Sequence, residues 1–391
     1  VPKSTRKPHK IRKIYLDYAS SAMADVANPG AIHALGVAEK SRLEKARKTI
    51  SGILSAQSDE IIFTSGATES NNMAILGMPA GRIITTNIEH ASVMETCKHR
   101  GNVTFVKVEK NGVVDPKKIK KALRPNTILV SVMYANNEIG TIQPIREIAK
   151  EIRHYNKTHA KNILFHTDAT QAINYLPIQV PQLGVDMMSF NSAKIYGPKG
   201  VGVLYVKRGT PISPILFGGD QERGLRPGTE NVALAVGIAE ALQETEKIKN
   251  KEVVRLTKLR DYFIVKLLSI FSSEEFGLAV RREKRKKAGE FIFNGDVKNR
   301  LPNNINITIR NIPSDLLVIE LSARGIMASA KSACKSGDGK ASHVISAINP
   351  ALRDTDGSLR FSLGRSTTKK DIDETIKALS EILKKLKKWY N

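Results

Sequence analysis

Ser189-Phe190-Asn191-Ser192-Ala193-Lys194-Ile195-Tyr196-Gly197-Pro198-Lys199-Gly200 sets a lysine between an apolar run and a Gly-Pro turn, where a strand ends and the chain bends. Asp168 closes a second such run, Ile163-Leu164-Phe165-His166-Thr167-Asp168, 26 residues before Lys194. Open parallel sheets bind ligands at the carboxyl ends of their strands, and both residues fall there. A lysine in that place is expected to be desolvated and to react as a free amine, forming an imine with an aldehyde. An aspartate beside it suits a protonated pyridine nitrogen. Each alone reads as ordinary, a loop lysine and a helix cap. Together they point to a pyridoxal phosphate (PLP) site, and so to an enzyme.

Around this stretch, short apolar runs alternate with helical patterns from about residue 60 to 250. Ile61-Ile62-Phe63, Ile83-Ile84-Thr85, Val103 to Val106, Ile128 to Val132, Ile163 to Phe165 and Val201 to Tyr205 read as buried strands. Between them Glu69 to Leu76, Ala91 to His99, Pro116 to Leu123 and Ile145 to Tyr155 carry apolar residues at helical spacing. This alternation predicts an α/β fold whose large domain has a mostly parallel central sheet flanked by helices. After Gly228-Thr229-Glu230-Asn231 a long helical stretch runs to about Phe271, with a break expected near Lys249-Asn250. It leads to a smaller α+β C-terminal domain with strands at Ile305 to Ile309 and Arg360 to Ser362, and a helix from Ser314 to Arg324. A last amphipathic helix runs from Thr368 towards Tyr390, acidic at its start and basic at its end, as the helix dipole favours. The expected division is 1–22, a basic arm and a strand joining the small domain; 23–250, the large domain; and 251–391, the small one.

The chain has 391 residues, with 62 Lys and Arg against 38 Asp and Glu, a formal charge of +24. Such a surface attracts polyanions. The basic arm from Lys3 to Lys13 and the cluster Arg281 to Lys287 concentrate it, and a weak RNA contact through them is one reading; a solvated, basic surface is the other. No apolar run reaches the ~20 residues of a membrane span, so no membrane association is expected. Two cysteines, Cys97 and Cys334, argue against a disulfide framework and give no metal-binding spacing; no metal is expected. The N-terminus has no secretory signal pattern, and a cytoplasmic location is expected, with an organellar matrix as the alternative.

Further stretches carry chemistry. Phe63 to Asn71 reads as strand, small-residue turn and helix start, whose first amides suit a phosphate at Ala67 and Thr68. His90 follows a strand and could lie against a flat cofactor or cap a helix. Asn136, Asn137 and Glu138 end another strand, and such groups are costly to bury without hydrogen bonds. Cys334 sits in a small, polar loop flanked by Lys331 and Lys335, as a reactive thiolate would; Cys97, on a helix, reads as buried. Arg360, opposite Phe361 in strand alternation, has the planar fork that grips a carboxylate.

In this order the motifs resemble the NifS/IscS-type cysteine desulfurases of the class V aminotransferase superfamily, PLP fold type I. The resemblance runs from Tyr15 to the last helix and implies conversion of L-cysteine to L-alanine, with the sulfur carried as a persulfide on Cys334. It implies that Lys194 binds the PLP aldehyde, Asp168 pairs with the ring nitrogen and Gln171 with the ring hydroxyl. His90 would stack on the ring and protonate the leaving product; Ala67 and Thr68 would hold the phosphate. Thr229 would reach the phosphate of a partner subunit, implying a homodimer. Asn137 and Arg360 would orient the substrate. The sulfur acceptor would be an Fe–S assembly scaffold or a tRNA-thiolation protein.

The chain departs from the family pattern at three places. Asn191 and Ala193 stand where serine and histidine are usual around the lysine; Asn191 can still donate to a phosphate, Ala193 cannot. Ala22 to Pro29 omits a helix, and the Arg281 to Lys287 insertion is atypical. The stretch after Cys334 keeps the length of the long-loop branch rather than the short-loop, SufS-like one. A selenocysteine lyase or another class V PLP enzyme would use Lys194 alike; Cys334 discriminates, since a transaminase does not need it and would require an amino acceptor. A non-catalytic scaffold or RNA-binding protein is the reading from a different class.

Overall fold

Val130 and Val132 face one side of a central sheet and Leu129 the other, and both sides are sealed from water. The computed structural model describes residues 16, 17, 19–21, 27–272, 291–330, 342–353 and 355–390. Seven strands make the large sheet: β1 Ile61–Thr64, β2 Arg82–Thr86, β3 Val103–Val106, β4 Thr127–Ser131, β5 Leu164–Asp168, β6 Met187–Asn191 and β7 Gly202–Val206. They lie in the order β1-β7-β6-β5-β4-β2-β3, with β2 to β6 parallel and β7 antiparallel to both of its neighbours. Continuous apolar runs follow from burial on both faces.

The helices are α1 Ala34–Leu54, α2 Ala67–Leu76, α3 Ala91–Arg100, α4 Pro116–Ala122, α5 Ile145–His159, the short α6 Val180–Leu183 and α7 Val232–Ser272. Met73 and Ile75 of α2 and Val93 and Cys97 of α3 pack on the face that holds Ile62, Ile83, Leu129 and Leu204. Ile50 of α1, Ile148 of α5 and Ile238 of α7 pack on the opposite face, with Phe63, Ile84, Val130 and Val203. The α/β architecture with a mostly parallel, helix-flanked sheet is therefore as the alternation predicts.

A three-stranded antiparallel sheet, β8 Phe291–Phe293, β9 Asn304–Ile309 and β10 Gly357–Ser362, is ordered β10-β9-β8. It packs with α8 Ser314–Ser322 and α10 Lys369–Tyr390, while α9 His343–Ile348 returns to the first core. The expected break at Lys249-Asn250 is absent: α7 is one helix of 41 residues, and the division expected at residue 250 falls inside it. Lys249 does not interrupt the helix because its stem is buried, with Nζ donating to Leu176 O at 3.1 Å and pairing with Glu246. The N-terminal half of α7 packs in the first core through Ile238 and Leu242, and the C-terminal half in the second through Leu256, Phe263 and Leu267.

The strand expected in residues 1–22 lies largely outside the described residues; Leu16 and Asp17, which are described, are in no strand. The Arg281 to Lys287 cluster and Cys334 also lie outside them.

Candidate active site

Five loops leave the carboxyl edge of the sheet and enclose a cavity of about 450 Å³. Its walls include Ala67, Thr68, His90, Asn137, Asp168, Gln171, Asn191, Lys194 and Arg360. Of the expected site residues that are described, Thr229 alone does not line it; that residue is exposed on the loop before α7.

Lys194 ends a 3-10 turn, Ser192–Lys194, that continues β6, and Asn191 Oδ1 caps the turn by accepting from Lys194 N at 3.2 Å. The expected desolvation of this lysine is not found: Lys194 and Ala193 line the cavity on a turn that follows the last residue of β6, and both are exposed. Two residues on, Tyr196 holds a left-handed φ of 64° while its hydroxyl accepts from Arg365 N at 3.0 Å and the Arg365 guanidinium lies 4.1 Å over its ring. The turn carrying the lysine is thus tied to the segment after β10.

Asp168 ends β5 in a buried position. Its Oδ1 accepts from Thr170 N at 2.9 Å and its Oδ2 from Asn71 Nδ2 at 2.8 Å. His90 caps α3, with Nδ1 accepting from Ser92 N at 3.2 Å. At the start of α2, Gly66 lies against Gly202 of β7; a Cβ on Gly202 would come within 2.6 Å of Gly66 Cα. The first amides of α2 therefore stand at the cavity wall beside Ala67 and Thr68.

Arg360 reaches in from β10. Its Nη1 donates to Asn137 O at 3.1 Å, and burial pulls its pKa below the usual guanidinium value, with Glu138 opposing. Its backbone bridges Ser329, two residues before the undescribed segment 331–341. At the far end of that segment, the Ser342 hydroxyl donates to Glu138 Oε2, and His343 Nε2 donates to Glu89 O at 3.0 Å. Both flanks of the stretch containing Cys334 are therefore fastened beside the cavity. Cys97 is fully buried on α3, and burial pushes its thiol up to about 12.

A layer of polar residues beneath the cavity escaped sequence reasoning. Glu89 is wholly buried, accepting from Thr86 Oγ1 at 2.6 Å and from Met133 N; burial pushes its carboxyl up to about 8, and nearby Asp168 adds to the rise. His166 is held between Ser131 Oγ and Ser189 Oγ, each at 2.9 Å, and burial lowers it to about 4. Asn71, also buried, links Asp168 to Ser92. Polar groups so deep are kept only when hydrogen-bonded. The sequence signal for Glu89 and His166 was their placement just after, or within, apolar runs; Asn71, among polar neighbours, gave none.

The set fits a pyridine aldehyde phosphate. A carboxylate, an amine, an imidazole and a helix N-terminus surround one cavity. Thr170 Oγ1 and Arg360 Nε, both on lining residues, are buried without a partner among the described residues, so the walls keep hydrogen-bonding capacity the protein does not itself use.

The sequence profile of the aminotransferase class-V family matches residues 2–375. The chain belongs to that family. This class-V member is 42% identical over 400 aligned positions to a cysteine desulfurase IscS of Dictyoglomus turgidum, covering 96% of each chain. It is 41% identical to a cysteine desulfurase IscS of Methanosarcina thermophila, covering 92% of this chain and 86% of the other. Among solved structures, a NifS-like protein superposes with a TM-score of 0.81 at 33% identity, over 93% of both chains. DndA from Streptomyces lividans gives 0.68 at 33% identity, over 86% of this chain and 91% of its own. These relatives place the class-V chain among the NifS/IscS-type cysteine desulfurases, and make it an enzyme.

Proposed function

We propose that the chain takes sulfur from L-cysteine, leaving L-alanine, with PLP held at Lys194 and the sulfur received by Cys334. The observation that carries this reading is the convergence of Lys194, Asp168, His90, Asn137 and Arg360 on one cavity. PLP, when bound, supplies an electron-withdrawing ring that lets the substrate Cα give up its proton. Asp168, steadied by Asn71 and Thr170, would hold the ring nitrogen, and Gln171 the ring hydroxyl. Ala67, Thr68 and the α2 amides would take the phosphate, with Asn191 close by.

Arg360 binds the substrate carboxylate with the part of its fork that Asn137 O leaves open, so the substrate arrives in one orientation. The Lys194 amine takes the Cα proton, and His90 returns a proton to the leaving product. Cys334 thiolate forms the new S–S bond as the substrate C–S bond breaks, its electron pair ending with the proton that makes alanine. Anchors at Ser329, Ser342 and His343 support delivery of that thiolate to the site. Exposed Thr229, outside its own cavity, supports a homodimer in which it completes the neighbour's phosphate site. The persulfide would pass to an Fe–S scaffold or a tRNA-thiolation protein.

The test is alanine and sulfide release from cysteine, with and without added PLP. Cys334→Ser is expected to keep PLP bound and to lose alanine formation. Normal alanine formation by that variant would remove Cys334 from the scheme.

A further inference from the structure

Asn71 connects two groups that the proposed reaction uses. It is fully buried on α2, 97 positions from Asp168 in sequence. Its Nδ2 spends both hydrogens, one on Asp168 Oδ2 at 2.8 Å and one on Ser92 Oγ at 2.8 Å. The amide cannot be turned over, because its oxygen would then face a carboxylate oxygen. In the orientation it holds, Oδ1 meets no partner among the described residues. A leucine would fill the same space without stranding a buried acceptor, so the two donors, not the volume, account for this residue.

The second donor has a consequence one bond further on. Ser92 Oγ, having accepted from Asn71, turns its single hydrogen to His90 Nδ1 at 2.8 Å, and Ser92 N donates to the same atom at 3.2 Å. With two donors on Nδ1, the neutral imidazole carries its hydrogen on Nε2. That leaves Nε2 as the atom able to give a proton.

We propose that Asn71 is a positioning residue that orients the Asp168 carboxylate and, through Ser92, fixes His90 as its Nε2–H tautomer. The proposal rests on the roles given above to Asp168 and His90. One buried amide then sets both groups, so that the acid facing the ring nitrogen and the proton donor cannot drift independently.

The test uses histidine labelled with nitrogen-15 in wild type, Ser92→Ala, Ser92→Thr and Asn71→Leu, with the His90 signals assigned by their loss in His90→Gln. Before PLP is added, wild type and Ser92→Thr are expected to show the Nε2–H form alone, and Ser92→Ala and Asn71→Leu a mixture with the Nδ1–H form. In cysteine turnover Ser92→Ala is expected to lose about tenfold in kcat with little change in KM, Asn71→Leu to lose more because it also frees Asp168, and the threonine variant to recover the serine value. The double variant should lose no more than the worse single one, since both cut the same chain of bonds. An unchanged tautomer in Ser92→Ala, or additive losses in the double variant, would overturn the proposal. If Asn71→Leu does not fold, Asn71→Ala takes its place, and the Nε2–H form alone in that variant would overturn the proposal. Should wild type take up no PLP, the proposed function fails, yet the tautomer comparison still decides the relay.

Discussion

Lys194 stands on a turn that Asn191 starts and Tyr196 ties down, so its amine is placed by neighbours on both sides. Lys194→Ala is expected to abolish alanine formation while leaving the melting temperature of the PLP-free protein unchanged, which calorimetry beside a turnover assay would check. Glu89 makes a pH prediction. Its folded carboxyl titrates near 8, above the ordinary 4.5, so the folded state binds more protons than the unfolded state between those values. Stability contributed there is present at low pH and falls as pH rises towards 8, by at most about 1.4 kcal/mol per pH unit. Glu89→Gln should flatten that decline in melting temperature between pH 5 and 8; an unchanged slope would mean another group titrates. Lys194, Asp168 and Arg360 were legible in the sequence because each ends or interrupts an apolar run. Asn71, Ser92 and His166 were not, since a polar residue on a helix or strand shows its partner only after distant strands are brought together.

Among elements, the junction of β7 with the start of α2 depends on a missing side chain. Gly202→Ala would press a methyl group against Gly66 at 2.6 Å and Phe190 O at 2.9 Å. The expected result is a loss of about 1–3 kcal/mol in urea unfolding, with weaker PLP binding as the α2 amides shift. Another junction is ionic: Arg47 of α1 donates to both oxygens of Glu222, at 2.8 and 2.7 Å, and Phe63 N donates to the same carboxylate at 2.9 Å. Both partners are buried, so Glu222→Ala leaves the guanidinium only Ile61 O and the half-exposed Glu44, at 3.3 Å, and is expected to cost about 3 kcal/mol by urea unfolding. A cost below 1 kcal/mol would show that water reaches the pair. Strands β1, β2, β4, β5 and β7 could be read from the sequence because burial on both faces leaves largely apolar runs, and the half-buried edge strand β3 because Val103, Phe105 and Val106 still stand out. Helix α1 could not, because its buried face includes Glu39, Arg47 and Ser51, which weaken the periodic signal. The false break in α7 has the same origin: a Lys-Asn pair looks like a turn until Lys249 finds Leu176 O.

For the whole molecule, α7 is the shared beam, packing in one core through Leu242 and in the other through Leu256 and Phe263. Heating is therefore expected to melt both cores in one transition. Asn250→Pro, which removes a helix bond between the two sets and costs about 3 kcal/mol, should split that transition in two by calorimetry. A single sharp transition in the variant would show that other contacts suffice. The burial of Cys97 also has a use at the bench. With only two cysteines in the chain, and this one sealed inside with its thiol near 12, an alkylating reagent added to the native enzyme is kept from one of the two thiols, and any single label it leaves belongs to the other. A mass tag, with or without one additional sulfur atom, would then check the proposed role of Cys334 without mutating anything.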